Sequence, residues 1–185
     1  MINIFRSIAL SLLGMLTVGW VSIVLIIFMI TNQGDWWLTN FIANNLVMSE
    51  RLESLGRTFG DVASGMLNLM VIMNIIFLCI TALFSIGWSA GSHYLNIDAP
   101  GKAKIYFIHW IITTSAFVGI IVFGSIFFLN STNFDNDFVS GGGVWFLTIL
   151  SGIYYFIVYY LGVLVGTARF ARSSVLFANK LPGGF

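Results

Sequence analysis

The chain has 185 residues, of which 58% are apolar and 8% charged, with a formal net charge of +1 and a mean hydropathy of +0.96. Soluble domains carry about 25% charged residues, so this composition excludes a water-soluble globular domain. The few Lys and Arg are scattered rather than patched, which excludes a nucleic-acid-binding surface.

Four apolar stretches, at 7–31, 62–90, 104–129 and 144–168, hold a single formal charge, Lys104 at the edge of the third. Each has roughly 25 residues and as a helix covers about 35 to 40 Å, enough to cross a bilayer core of about 30 Å. The expected fold is an all-α integral membrane protein with four transmembrane helices, in one membrane domain over 1–185. Charges inside a membrane usually mark ion paths or proton relays, and their absence from the span interiors removes that pointer.

The first stretch follows Arg6, yet the apolar run from Ile8 to Ile30 exceeds the signal-peptide norm of about 7 to 15 residues, and no small-x-small cleavage pattern follows. It reads as a retained anchor. Its small residues, Ser7, Ser11, Gly14, Val18 and Ser22, fall on one helical face.

Between the first two spans, Phe41, Met48, Leu52, Leu55 and Phe59 recur at spacings of 7, 4, 3 and 4. This is the pattern of an amphipathic helix, expected over about 36–59, with Glu50, Arg51, Glu53 and Arg57 as a candidate partner surface. The second span carries the polar residues Asn68, Asn74, Thr81 and Ser85. An unsatisfied amide in hydrocarbon costs several kcal/mol, so Asn74 is expected to bond across helices or to line a neutral solute path with Tyr155 and Tyr159. The seam Ser64, Asn68, Val71, Ile75, Leu78, Ala82, Ser85 and Ser89 follows helical spacing, and Gly87 with Gly91 makes a GxxxG pair. Cys79 is the sole cysteine and forms no internal disulfide.

Asp98, Ala99, Pro100 and Gly101 make a turn before the third span. That span offers Ser115 and Gly119 as a seam, with Gly124 and Ser125 on neighbouring faces. The connection 130–143 holds Asp135 and Asp137 but lacks the twelfth-position Glu of a calcium loop, and reads as a hydrated turn. In the fourth span, Thr148, Gly152, Tyr155, Tyr159, Gly162 and Gly166 follow at 4, 3, 4, 3 and 4, placing all six on one face. It is the strongest packing seam in the chain, since association in lipid relies on small residues, close backbones and hydrogen bonds. The tail 169–185 follows it.

Arg6, Lys102, Lys104, Arg169, Arg172 and Lys180 fall on one side of the expected topology, and only Arg51 and Arg57 on the other. The positive-inside rule then puts both termini in the cytoplasm, with the 36–59 helix outside, most naturally in a bacterial inner membrane.

His93, beyond the expected end of span two, and His109 are the only histidines. Haem would need them facing each other from separate buried helices, so interfacial hydrogen bonding is the expected role. No HExxH, Cys pair, intramembrane carboxylate pair, Ser with a plausible His and Asp, or phosphate loop is present, so neither catalysis nor a metal or cofactor is expected. The expected function is a non-catalytic subunit or accessory component of a larger membrane complex, such as a secretion, conjugation or respiratory assembly. Its partners would be the bilayer and other membrane chains. A small holin-like pore or neutral-solute carrier and a membrane immunity or exclusion protein are the alternatives.

Overall fold

The computed structural model describes residues 2–32, 59–94, 103–131, 141–168, 171 and 175–177. Among these the regular elements are four long helices: α1 (Ile2–Asn32), α2 (Phe59–Tyr94), α3 (Ala103–Ser131) and α4 (Gly141–Gly166). No strand occurs among the described residues. All four helices are long and apolar enough to cross a membrane, over Asn3–Thr31, Asn68–His93, Ile105–Asn130 and Gly143–Gly166. Helix is the form such segments must take in lipid, because it satisfies every backbone N–H and C=O within the segment.

The chain divides into two units. Unit 1 comprises Met1–Trp20, Leu78–Gly119 and Tyr154–Phe185; unit 2 comprises Val21–Phe77 and Ile120–Ile153. Every helix contributes to both. The outer faces are apolar: Leu83, Phe123 and Phe127 are 72%, 74% and 66% exposed. Exposure of that kind would be costly in water, whereas lipid tails solvate these side chains as well as a protein core does.

Helix α2 runs four residues past the expected end of span two at 90, so His93 sits in its last turn rather than in a loop. The extension has side-chain support: Ser92 Oγ donates to Ser89 O at 2.8 Å, and His93 is bonded to α1. The expected 36–59 helix, with Glu50, Arg51, Glu53 and Arg57, lies outside the described residues apart from Phe59, where α2 begins.

Within unit 2, the edge of the Phe77 ring meets Phe128 at a centroid distance of 6.2 Å. A Cβ on Gly124 would lie 2.9 Å from Phe77 Cε1, so the glycine is what admits the ring. Ser125 is buried and donates to Ile121 O at 2.8 Å, discharging its hydroxyl on its own helix.

Candidate functional site

Unit 1 contains a junction of α1, α2 and α4 built from small residues. Gly14 on α1 lies against the α4 backbone: a Cβ there would sit 2.5 Å from Leu161 O and 3.2 Å from Gly162 Cα. Gly162 receives Ser85 Oγ and Met15 Cγ, and Gly166 receives Ser89 Oγ and Ser11 Cβ. The α4 pair is therefore filled from both neighbouring helices, α1 through Ser11 and Met15 and α2 through Ser85 and Ser89. Close approach of this kind maximises dispersion contact where no hydrophobic force between helices operates.

Hydrogen bonds tie the junction together. Ser11 Oγ and Ser85 Oγ are 2.8 Å apart and fully buried. Trp88 donates its indole N–H to Thr167 Oγ1 at 3.0 Å, and Thr167 passes its own proton to Val163 O. Just beyond the end of α4, Ala168 N donates to Ser92 Oγ at 3.0 Å, giving a backbone group released from the helix a partner on α2. Tyr160 donates to Leu176 O, and Ala171 and Val175 are buried, so residues after α4 also pack within unit 1.

At one edge of this junction Ser7 Oγ and His93 Nε2 are 2.5 Å apart. Ser7 is 7% exposed and His93 half-buried. Like Ser11, Ser85 and Thr114, Ser7 bonds across to another helix. Thr17, Thr31, Thr113, Ser125, Ser92 and Thr167 all spend their hydroxyl protons on carbonyls three or four residues back in their own helices. Ser89 Oγ is buried and has no hydrogen-bond partner.

The residues singled out from the sequence are placed as follows. On α4, Tyr155, Tyr159, Gly162 and Gly166 are buried and Gly152 half-buried, the last with Val122 Cγ2 3.8 Å from where its Cβ would lie. Tyr159 stacks on Phe117 at 4.5 Å and shares a hydrogen bond with Thr114 at 3.2 Å, and Tyr155 meets Tyr154 edge to face at 5.0 Å. On α2, Thr81 and Ser85 are fully buried, but Asn68 is exposed. Asn74 is half-buried and donates to Met70 O of its own helix at 2.7 Å. Gly87 is exposed, Gly91 half-buried, and a Cβ on either would meet nothing within 4 Å. On α3, Ser115 is exposed and Gly119 has no described neighbour within 4 Å of a Cβ, while Tyr106, Trp110 and Phe117 are buried, so the unit 1 part of this helix presents rings inward, and its small inward residues, Gly124 and Ser125, lie in unit 2. His109 is exposed, with Nδ1 donating to Ile105 O at 2.7 Å.

Sequence reading finds the Ser7, Ser11 and Gly14 face and the Gly162 and Gly166 face by spacing. It passes over the Ser7–His93 pair, whose members are 86 residues apart with no carboxylate spaced to suggest a triad. Among the described residues no group of three or more His, Cys, Asp or Glu is arranged to hold a metal. No protein family, curated protein or solved structure matches this chain.

Proposed function

We propose that the protein is a subunit or accessory component of a larger membrane complex, with both termini in the cytoplasm of a bacterial inner membrane. One observation carries the reading. Two GxxxG pairs lie in the candidate membrane spans, and among the described residues only one is filled: Gly162 and Gly166 receive side chains from α1 and α2, whereas a Cβ on Gly87 or Gly91 of α2 would meet nothing within 4 Å. An open close-approach step on a membrane helix suits the backbone of another chain. The basic residues Arg6, Lys102, Lys104, Arg169, Arg172 and Lys180 support the orientation.

The pore alternative asks Asn74, Tyr155 and Tyr159 to present polar groups to a shared lumen. Asn74 bonds its own backbone, Tyr159 bonds Thr114, and Tyr155 packs against a ring, which favours the packing role. The test is purification in a mild detergent. Other membrane chains co-purify with the wild type and are lost from Gly87→Leu/Gly91→Leu, which keeps its fold because no described residue lies within 4 Å of a Cβ at either position. A wild type recovered as a stable lone monomer overturns the proposal.

A further inference from the structure

We propose that Ser7 is an activated serine nucleophile, with His93 as its general base, that takes an acyl group from the ester of a membrane glycerolipid. This goes beyond the subunit reading and stands independently of it. The pair has the first requirement of nucleophilic catalysis, a hydroxyl and an imidazole nitrogen in hydrogen-bond contact, here Oγ to Nε2 at 2.5 Å. A helical serine ordinarily gives its proton to a carbonyl one turn back. Ser7 is instead directed across to α2, so its proton is available to a base rather than held by its own backbone.

Ser89 supplies a second element. Its hydroxyl is buried and without an acceptor, and it borders Gly166 together with the Ser7 carbonyl oxygen, which lies 3.0 Å from the position a Gly166 Cβ would take. Ser89 stands one helical turn before His93 on α2, and a hydroxyl proton with no acceptor among the described residues is suited to the negative oxygen that develops during acyl transfer. Among the described residues the arrangement is a pair; the one Asp or Glu of unit 1, Asp98, lies outside them.

Depth selects the substrate class. Ser7 lies in the first turns of the candidate span Asn3–Thr31 and His93 is the last residue of the candidate span Asn68–His93, so the pair stands at one end of both spans. The headgroup and interfacial layer on each side of the hydrocarbon is about 5 to 7 Å thick, and a span end is the level at which the ester linkages of glycerolipids lie. Phe5, 69% exposed, precedes Ser7 in the first turns of α1, an apolar surface suited to an acyl chain.

In the proposed step Ser7 Oγ donates its proton to His93 Nε2 as it bonds to the ester carbonyl carbon. Ser89 donates a hydrogen bond to the resulting oxyanion. The carbonyl re-forms, the bond to the glycerol oxygen breaks, and that oxygen takes the proton from His93. The products are acyl-Ser7 and the lipid bearing a free hydroxyl, with no oxidation or reduction.

The experiment uses the full chain in mild detergent and a long-chain alkyl fluorophosphonate, on whose phosphorus serine displaces fluoride. The expected result is an adduct at Ser7, located by peptide fragmentation, absent from Ser7→Ala and from heat-unfolded wild type. His93→Gln should label about 100-fold more slowly, the scale of a general base, and Ser89→Ala should slow labelling as well. Labelling of the wild type should rise with pH through the histidine range and level off, a readout that survives even if a variant fails to fold. Folded wild type that stays unlabelled at Ser7, a flat pH profile, or His93→Gln and Ser89→Ala reacting at the wild-type rate overturns the proposal. In vesicles of a diacylglycerophospholipid, a Ser7 adduct with the mass of one acyl chain is expected, and its absence overturns the substrate class.

Discussion

Gly14→Ala should destabilise the protein by about 2 to 3 kcal/mol, the upper part of the range for overpacking a tight interior. The added carbon would lie 2.5 Å from Leu161 O, 3.0 Å from Leu161 C and 3.2 Å from Gly162 Cα, all backbone atoms of α4. No rotamer change relieves a backbone clash, and ordinary contact begins near 3.4 Å, so α1 and α4 must separate locally by about 0.5 to 1 Å. That displacement also withdraws Met15 from Gly162 and Ser11 from Gly166, and loosens the Ser11–Ser85 bond. The matched control is Gly87→Ala, where the new methyl meets nothing within 4 Å and helix propensity favours alanine by about 0.5 to 1 kcal/mol. Reversible denaturation by SDS from mixed micelles, followed by tryptophan fluorescence, measures both variants on one scale. The difference between them should be about 3 kcal/mol. Equal midpoints for Gly14→Ala and Gly87→Ala would refute the claim that the Gly14 contact governs α1–α4 packing.

Ser92→Ala removes the acceptor of the Ala168 N–H, and stranding a buried donor costs about 1 to 3 kcal/mol. The same denaturation assay should show that loss, and amide exchange at Ala168 should quicken. In unit 2, Gly124→Ala pushes on Phe77 Cε1 at 2.9 Å, a ring that can tilt, and should cost about 1 kcal/mol, near the low end of overpacking. Gly152→Ala places its methyl 3.8 Å from Val122 Cγ2, an ordinary contact, and should be neutral or slightly stabilising; a larger loss at Gly152 than at Gly124 would contradict this ordering. Phe177 has φ of 63°, in the left-handed region, and Phe177→Gly should raise the thermal midpoint slightly by relieving about 1 kcal/mol of backbone strain.

The four spans are legible because excluding charge over some 25 residues is a strong and local signal. Seam residues are legible where packing uses small side chains at helical spacing, as on α1 and α4: Ser7, Ser11, Gly14, Gly162 and Gly166 all turn inward. On α2 the inward line runs through Leu69, Met73, Phe77, Thr81, Ser85 and Ser89, so the small-residue rhythm coincides with it at Ser85 and Ser89 and departs from it at Asn68 and Ile75, which are exposed. Helical spacing alone cannot distinguish a face turned toward the chain's own helices from one turned outward, which is why Gly87 and Gly91 read like Gly162 and Gly166. On the unit 1 part of α3 the inward positions Tyr106, Trp110 and Phe117 are rings, and the small residues Ser115 and Gly119 lie away from them. The end of α2 was illegible for another reason. Its last turn depends on partners such as Ser7 that are remote in sequence.

The two units solve the same association problem with different chemistry. In unit 2 a glycine makes room for an aromatic ring, Gly124 for Phe77, and the gain is dispersion between large surfaces. In unit 1 glycines make room for backbone and hydroxyl groups, and Ser11, Ser85, Trp88, Ser92 and Thr167 exchange hydrogen bonds or accept them from the end of α4. A ring contact tolerates sliding, because dispersion varies smoothly with position, whereas hydroxyl pairs at 2.8 to 3.0 Å hold one register and are lost when helices shift by an ångström. Specific geometry is therefore concentrated in unit 1.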